Sequence, residues 1–402
     1  MTTQSADMAE VPDRRAAFPR RHLLGGAAAL APALLAGCTA GEVRAPAPAA
    51  AKAPPALPAA VAAEGARQAG VDRPAQPQQH VELAVYDLPA SPAGGGRATA
   101  RRVLAELGER IRGLCGGGDP LLAGMRPGDL TVTVGVGPRL VRLAGEELPG
   151  AGELPVFARE AVAEGDRGGD LMVQVCAGDP QVAVLAGMSL RAAATALSVR
   201  PRWSQDGFRP PAAAPGGPVR NLLGFLDGVS VPRTPEETDR EVWLPGPGPV
   251  RDGTVAVVRR MRLDVPGFLA LGVPAQEAAV GRRRADGAPL SGGGPDAAVD
   301  LGAKSAAGRY LVPAMAHVRR AHPAETGSGL MLRRGYSYAN SAADRGLLFV
   351  SFQRELRTFT QTQARLDEGD ALMAFATATA SGSFLVLPGF SAERPLGASL
   401  FG

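Results

Sequence analysis

The sequence predicts an α+β fold with antiparallel sheets and peripheral helices, built from two sets of elements of similar make-up. Three observations predict it. Val81-Glu82-Leu83-Ala84-Val85-Tyr86 alternates with the period of two expected of a half-buried strand. Val103, Leu104, Leu107, Ile111 and Leu114 recur at the spacing of an amphipathic helix. The same mixture of strand-like and helix-like runs then returns beyond a Pro/Gly-rich loop between Phe208 and Pro218, so a duplicated architecture follows from element order, without a residue-level repeat.

Taken in order, the chain opens on an address label. Arg20-Arg21 precede a short apolar stretch from Leu23 to Gly37, broken by glycine and proline. A bilayer span takes about 20 apolar residues, so residues 1–37 read as an export leader of the twin-arginine type. Leu35-Ala36-Gly37-Cys38 resembles a lipobox, with Cys38 as the lipid-anchored first residue; the alternative is a small-residue cleavage site and a chance cysteine. Residues 38–78 are Ala/Pro-rich and read as a spacer. The expected location is the outer face of the cytoplasmic membrane, or secretion, with membrane contact only through Cys38.

A first half is expected over 79–215. It holds the strand at 81–86, the helix from Val103 to Leu114, strands at Leu130–Val136 and Leu171–Cys176, and a helix from Gln181 to Leu197 ended by Pro201. The second half, 216–402, holds strands at Thr254–Leu263, Leu347–Phe352 and Ser383–Leu387, with a helix from Arg357 to Leu366. Gly281 to Asp300 is charged and glycine-rich and reads as exposed loop.

Composition narrows the function. With 402 residues, 45% apolar, the chain can bury one large core or two small ones. A net charge of +4, partly from leader arginines, gives nucleic-acid binding no support. Cys115 and Cys176 remain after the leader; Cys176 reads as a buried free thiol, and one bridge between the two is admissible in an oxidising compartment. No Cys-x-x-Cys-His occurs, which excludes covalent c-type haem attachment. The only histidines are His22, His80, His317 and His322, so imidazole chemistry has few candidates.

Three segments carry the chemistry: Gly224-Phe225-Leu226-Asp227-Gly228, Ala316-His317-Val318-Arg319-Arg320 and Met331-Leu332-Arg333-Arg334-Gly335-Tyr336. Each alone has an ordinary reading, as a turn whose carboxylate caps backbone amides, a surface histidine, and a solvated charge pair beside a strand. Together they supply a carboxylate, an imidazole and a guanidinium, the set needed to hold a haem iron on one side and cleave peroxide on the other. Neutral imidazole binds iron, and a carboxylate on its other nitrogen strengthens it as a donor. A distal carboxylate can move the peroxide proton from inner to outer oxygen, while a fixed guanidinium stabilises the charge that develops.

The order Asp227, His317, Arg333, with Asn221 upstream and Gly335-Tyr336-Ser337-Tyr338 downstream, closely resembles the dye-decolorising peroxidases, nearest their exported, twin-arginine EfeB-type branch. The likeness runs over essentially all of 79–402 and includes the stretches from Asp170 to Pro180 and from Gly346 to Phe352. It implies two ferredoxin-like halves of the dimeric α+β barrel type, with one non-covalent haem b in the C-terminal half. It implies His317 as the axial ligand, Asp227 and Arg333 as the distal catalytic pair, Gly228, Val229 and Ser230 along the haem face, and His322 and Pro323 at its edge. The family often carries arginine two residues beyond the position of His322, where this chain has Ala324, so one propionate contact is not matched.

The resemblance further implies hydrogen peroxide and an aromatic, dye-like or phenolic donor as partners, a homo-oligomer, and room for a ferrous-iron permease as companion. The leading reading is therefore a haem peroxidase. A haem-handling or deferrochelatase protein of iron acquisition is the alternative, and a non-haem binding lipoprotein is the third. His322 is the rival for the iron, with a surface or propionate-side role as its other reading. His80 reads as a capping or surface residue. Tyr336, Tyr338, Trp203 and Trp243 are candidate relays for oxidising equivalents, with core packing the other role.

Aspartate side chains ordinarily titrate near about 3.9 and histidine near about 6.5, so a carboxylate base predicts best activity at acid pH. An acid optimum with dye-like donors is expected, because a carboxylate base is still ionised at acid pH where an imidazole base is already protonated; loss of the peroxide reaction as pH falls through the imidazole range, or an alkaline optimum, would remove Asp227 as the base.

Overall fold

β1 (His80–Asp87) is buried along nearly its whole length, although its alternation predicts a half-buried strand. The reason is architectural: it is a central strand with cover on both faces. The computed structural model describes residues 59–90, 95–145, 147–214 and 217–402. Arg20-Arg21, Cys38 and the start of the spacer lie outside the described residues. Ala56–Gly402 forms one compact unit, and no helix among the described residues is long and apolar enough to cross a membrane.

After β1 come α1 (Gly96–Cys115), β2 (Thr131–Val136), α2 (Pro138–Ala144), β3 (Leu171–Ala177), α3 (Pro180–Ala196) and β4 (Arg200–Phe208). α1 turns Val103, Leu104, Leu107, Ile111 and Leu114 inward as the periodicity predicts. α3 starts where Asp179 accepts hydrogen bonds from the Gln181 and Val182 amides, which satisfies two of its free donors. The strands lie in the order β4-β1-β3-β2, all neighbours antiparallel, which is the ferredoxin-like arrangement of a β-α-β-β-α-β unit.

The hairpin of β5 (Val219–Arg220) and β6 (Leu226–Asp227), followed by α4 (Pro235–Glu241), leads into the second half. There β7 (Thr254–Leu263) is followed by a long excursion carrying α5 (Val265–Ala270), α6 (Val273–Val280), α7 (His317–Arg320) and α8 (Pro323–Thr326). β8 (Leu332–Arg333), β9 (Tyr336–Ala339), β10 (Arg345–Gln353), α9 (Leu356–Asp367), β11 (Ala376–Val386) and α10 (Ala398–Phe401) complete it. β8 and β9 pair with the same edge of β10 in one continuous register, so they are one strand interrupted at Arg334-Gly335. With that strand counted once, the order β11-β7-β10-β9 repeats the first half.

The two sheets join into a barrel. β7 pairs with β11 on one edge and β10 on the other, so the circuit closes through β11–β2 and β4–β9. Alternate residues of the strands, among them Leu83, Val85, Trp203, Val258, Tyr336, Phe352 and Phe384, fill the interior. The opposite face of β1–β3 packs under α1 and α3 through Leu104, Leu107, Ile111, Val173 and Leu190. Trp203, Trp243, Tyr336 and Tyr338 are all buried. Cys115 and Cys176 are free, so the admissible bridge is not made. Burial pushes the Cys176 thiol up to about 11 and the Cys115 thiol up to about 12. Within the stretch read as exposed loop, Arg282 is buried, with Nη1 donating to the Gly287 and Pro295 carbonyls.

The seams between halves are short. β11 meets β2 through Leu385↔Val136 and Val386↔Gly135, and β4 meets β9 through Phe208↔Ser337. Gln68 extends the first seam: its Nε2 donates to the Val134 and Leu387 carbonyls at 2.8 and 2.9 Å, and its Oε1 accepts from the Val134 amide at 2.8 Å. Thr133 Oγ1 donates to the Ala69 carbonyl beside it at 2.7 Å. The spacer expected to reach residue 78 therefore stops earlier, because Gln68, Ala69, Val71 and Gln78 are buried. Composition hides this, since a carboxamide here does the work of a peptide group.

Gln68→Ala would leave the buried Val134 amide and Leu387 carbonyl without a partner, at about 1–3 kcal/mol for each orphaned group, while the Val134 carbonyl keeps the Leu387 amide at 3.4 Å. The expected loss is about 2–5 kcal/mol in denaturant unfolding; a loss below the range of ordinary surface substitutions would show the seam holds without it.

Candidate active site

Asp227 ends β6, and the hairpin before it is shaped by Asn221. The Asn221 Oδ1 accepts from the Leu223 amide at 3.0 Å and the Phe225 amide at 3.2 Å. Gly224, at φ +85°, makes the turn, and the Arg284 guanidinium lies where a side chain would stand. The Gly228 amide donates to Asp227 Oδ1 at 2.7 Å, so the ordinary capping reading of this motif is realised. Asp227 Oδ2 accepts no hydrogen bond among the described residues. Gly228 itself, at φ +86°, faces open space, since a Cβ there would meet nothing within 4 Å.

Arg333 reaches the same place from β8. Its Nη2 stands 3.7 Å from Asp227 Oδ1 and its Nη1 donates to the Ser230 carbonyl at 2.9 Å. Ser230 thus holds the guanidinium through its backbone, while the Val229 carbonyl accepts from Arg233 Nη2 at 2.8 Å. Both site side chains are about one third open, 27% for Arg333 and 30% for Asp227.

His317 opens α7, and its Nδ1 lies 2.8 Å from Asp370 Oδ2. The Asp370 side chain is wholly buried, and its Oδ1 accepts from the Leu372 and Met373 amides at 2.8 and 2.9 Å. A carboxylate can only accept, so Nδ1 carries the proton, and in the neutral ring Nε2 presents its lone pair. Nε2 has no partner among the described residues. Burial disfavours the imidazolium of His317, but the adjacent Asp370 charge and hydrogen bond outweigh it and raise the pKa; Arg333 pulls it down and Asp227 up. One third of the side chain surface is still open although protein crowds the ring.

The resemblance left Asp370 unnamed. Its only local signal is a Glu-Gly-Asp turn 53 residues from His317, and nothing in that spacing marks a partner for an imidazole. His322 Nδ1 accepts from the Ala324 amide at 3.1 Å and caps α8, with Pro323 as the first helical residue. Burial lowers its pKa. His80 is the first residue of β1.

The donor set fits a haem. His317 offers one free, carboxylate-backed imidazole nitrogen, suited to a single axial bond. Leu223, Phe225, Val265, Phe268, Ala279 and Val280 form an apolar cluster that also touches Ala371, Leu372 and Phe375, so it links the Asp227 hairpin to the turn that carries Asp370. Phe225, Phe268 and Phe375 pack edge to face within it. A planar apolar ring with polar chemistry at its centre matches such walls. Two other concave regions, one between α1 and α3 beside Asp119 and Ser189 and one beside Gln79 and Asp179, lie in the first half and contain none of these residues.

The comparisons with known proteins agree along the whole folded part. Residues 69–209 match the family model for the Dyp-type peroxidase N-terminal domain, and residues 218–391 match that for the C-terminal domain. A dye-decolorizing peroxidase of Thermobifida fusca is 37% identical over 303 residues, 69% of each chain. A deferrochelatase of Escherichia coli K12 is 30% identical over 367 residues, 81% of this chain and 83% of that one. The crystal structure of a DyP-type peroxidase from Streptomyces coelicolor superposes with a TM-score of 0.78 at 34% identity, covering 86% of this chain and 97% of that one. Ferric DtpA of Streptomyces lividans gives the same TM-score, identity and coverage. Two ferredoxin-like halves closed into one barrel, an imidazole backed by a buried carboxylate and both domain matches converge, and this chain belongs to the Dyp-type peroxidase family.

Proposed function

We infer that the chain is a haem b peroxidase in which His317 would hold the cofactor and Asp227 and Arg333 act on hydrogen peroxide. The observation that carries the reading is the pairing of a free His317 Nε2, oriented by Asp370, with an Asp227–Arg333 pair 3.7 Å apart that opens onto the space before Gly228. Bound haem would supply the redox chemistry, accepting two oxidising equivalents from peroxide that electrons from the donor then discharge.

The residues divide the remaining work. Asp227 Oδ2, free of hydrogen bonds, takes the proton from the inner peroxide oxygen and returns it to the outer one. Asp227 Oδ1, fixed by the Gly228 amide, keeps the carboxylate from rotating away. Arg333, held by the Ser230 carbonyl, places fixed positive charge where negative charge develops on the departing oxygen, with no reorganisation needed. Asp370 holds the His317 ring in one tautomer and orientation. Gly228 leaves room for the substrate. Val229 shapes the loop through its carbonyl, and His322 and Pro323 fix the start of α8 beside the ligand.

Dye-like donors fit the name of the Thermobifida relative, and phenolic donors are proposed beside them from family likeness. The relatives named deferrochelatases, 30–31% identical over 81–84% of this chain, support handling of haem iron as a second reading of the same site. Twin-arginine export, a Cys38 anchor, folded halves meeting near 215–216, a homo-oligomer and an iron-import permease as companion complete the proposal, each resting on the sequence and on family likeness.

His317→Ala is expected to abolish the Soret band of the purified protein, while Asp227→Ala and Arg333→Ala keep the band and lose about 10²–10⁴-fold in the rate of reaction with peroxide. A coloured His317→Ala protein, or undiminished rates in both distal variants, would overturn the assignment. Asp370→Asn is expected to weaken haem binding by about 10–100-fold in a haem titration, with folding retained; unchanged affinity would reduce Asp370 to a helix cap.

A further inference from the structure

Ser351 and Gln353 stand two residues apart on β10, so their side chains leave the same face of the sheet about 6.8 Å apart along the strand. Both are completely buried. Ser351 Oγ and both ends of the Gln353 carboxamide have no hydrogen-bond partner among the described residues. Three such atoms so close together are unusual, because buried polar groups are nearly always paired with protein or with ordered water.

Their neighbour is Arg333. Ser351 and Arg333 face each other across the β10–β8 ladder, and side chains of directly opposed residues share one face at about 4.5–5.5 Å between Cβ atoms. A side chain at Gly335 on this interrupted strand would stand 3.9 Å from Asp227 Oδ2, so the Asp227 carboxylate lies over the same face. Arg333 uses Nη1 on the Ser230 carbonyl, and its Nε donates to nothing among the described residues.

The set offers both kinds of hydrogen-bonding group. Gln353 brings one donor and one acceptor, the Ser351 hydroxyl acts as either, and Arg333 Nε is a donor. A buried water needs two to four polar partners of mixed type, and no charged ligand is called for by two neutral side chains.

We propose that Ser351 and Gln353 hold ordered water against the Arg333 side chain and thereby fix the guanidinium toward Asp227. Ser351 is then a positioning residue for peroxide cleavage. It acts through Arg333 and exchanges no atom or electron with the substrate. The proposal rests on the reading of Asp227 and Arg333 as the peroxide-side pair.

The test combines a crystal structure of the haem-loaded protein, at a resolution that shows ordered water, with stopped-flow reaction of peroxide with Ser351→Ala, Ser351→Thr and Arg333→Ala. Water within hydrogen-bond distance of Ser351 Oγ and the Gln353 carboxamide is expected. Ser351→Ala should lower the second-order rate with peroxide roughly tenfold, with the Soret band and thermal midpoint unchanged, and Ser351→Thr should restore it. A dry site, or a Ser351→Ala rate equal to the parent's, overturns the proposal. Gln353→Met gives an independent readout in the melting temperature: a lower midpoint supports a hydrated carboxamide, and a higher one overturns it. If Arg333→Ala keeps the parent rate, the pair itself is misassigned and the proposal falls with it; if Arg333→Ala is slow and Ser351→Ala is not, the pair stands and only the positioning role is lost.

Discussion

The contact between His317 Nδ1 and the buried Asp370 carboxylate governs what every other group in the site can do. It commits one ring nitrogen to protein and leaves the other with a lone pair aimed outward. Without it, the imidazole would be free to rotate and to change tautomer, and no single axial direction would be defined. Asp370 is itself held by two backbone amides at the turn after α9, so the orientation of the His317 ring on α7 is set by a segment distant in sequence.

The two halves share one strand order and differ in what connects the strands. In the first half the connections are packed helices that cover one face of the sheet. In the second half the first connection stretches over residues 264–331 and is broken into four short helices. Short helices cannot cover a sheet on their own, and the apolar cluster around Phe225 and Phe268 fills the space they leave. The site thus arises where the repeated topology is least regular, and the regular half serves as its frame.

Much of this was legible in the residues. The helical spacing of Val103, Leu104, Leu107, Ile111 and Leu114 gave the buried face of α1, and the three separated motifs gave Asp227, His317 and Arg333. What escaped was long-range pairing. Asp370 has no local mark because its role depends on a tertiary neighbour. The burial of Gln68 was hidden because an Ala/Pro-rich context reads as spacer, while the residue works through its side-chain amide. The full burial of β1 was missed because alternation reports two kinds of face, and here the second face is covered by helices. Cys115 and Cys176 illustrate the same limit, since only distance decides whether two thiols meet.

The stitching of Gln68 into the β2–β11 seam ties residues 319 positions apart, from Gln68 to Leu387. During synthesis, the Leu387 end of that stitch emerges long after Gln68. The first half can collapse early around α1 and α3, but a nascent chain has no way to shut the circuit of strands before β11 has left the ribosome. High sequence separation of this kind slows folding, so until β11 is available the edges of β2 and β7 stay open to other strands.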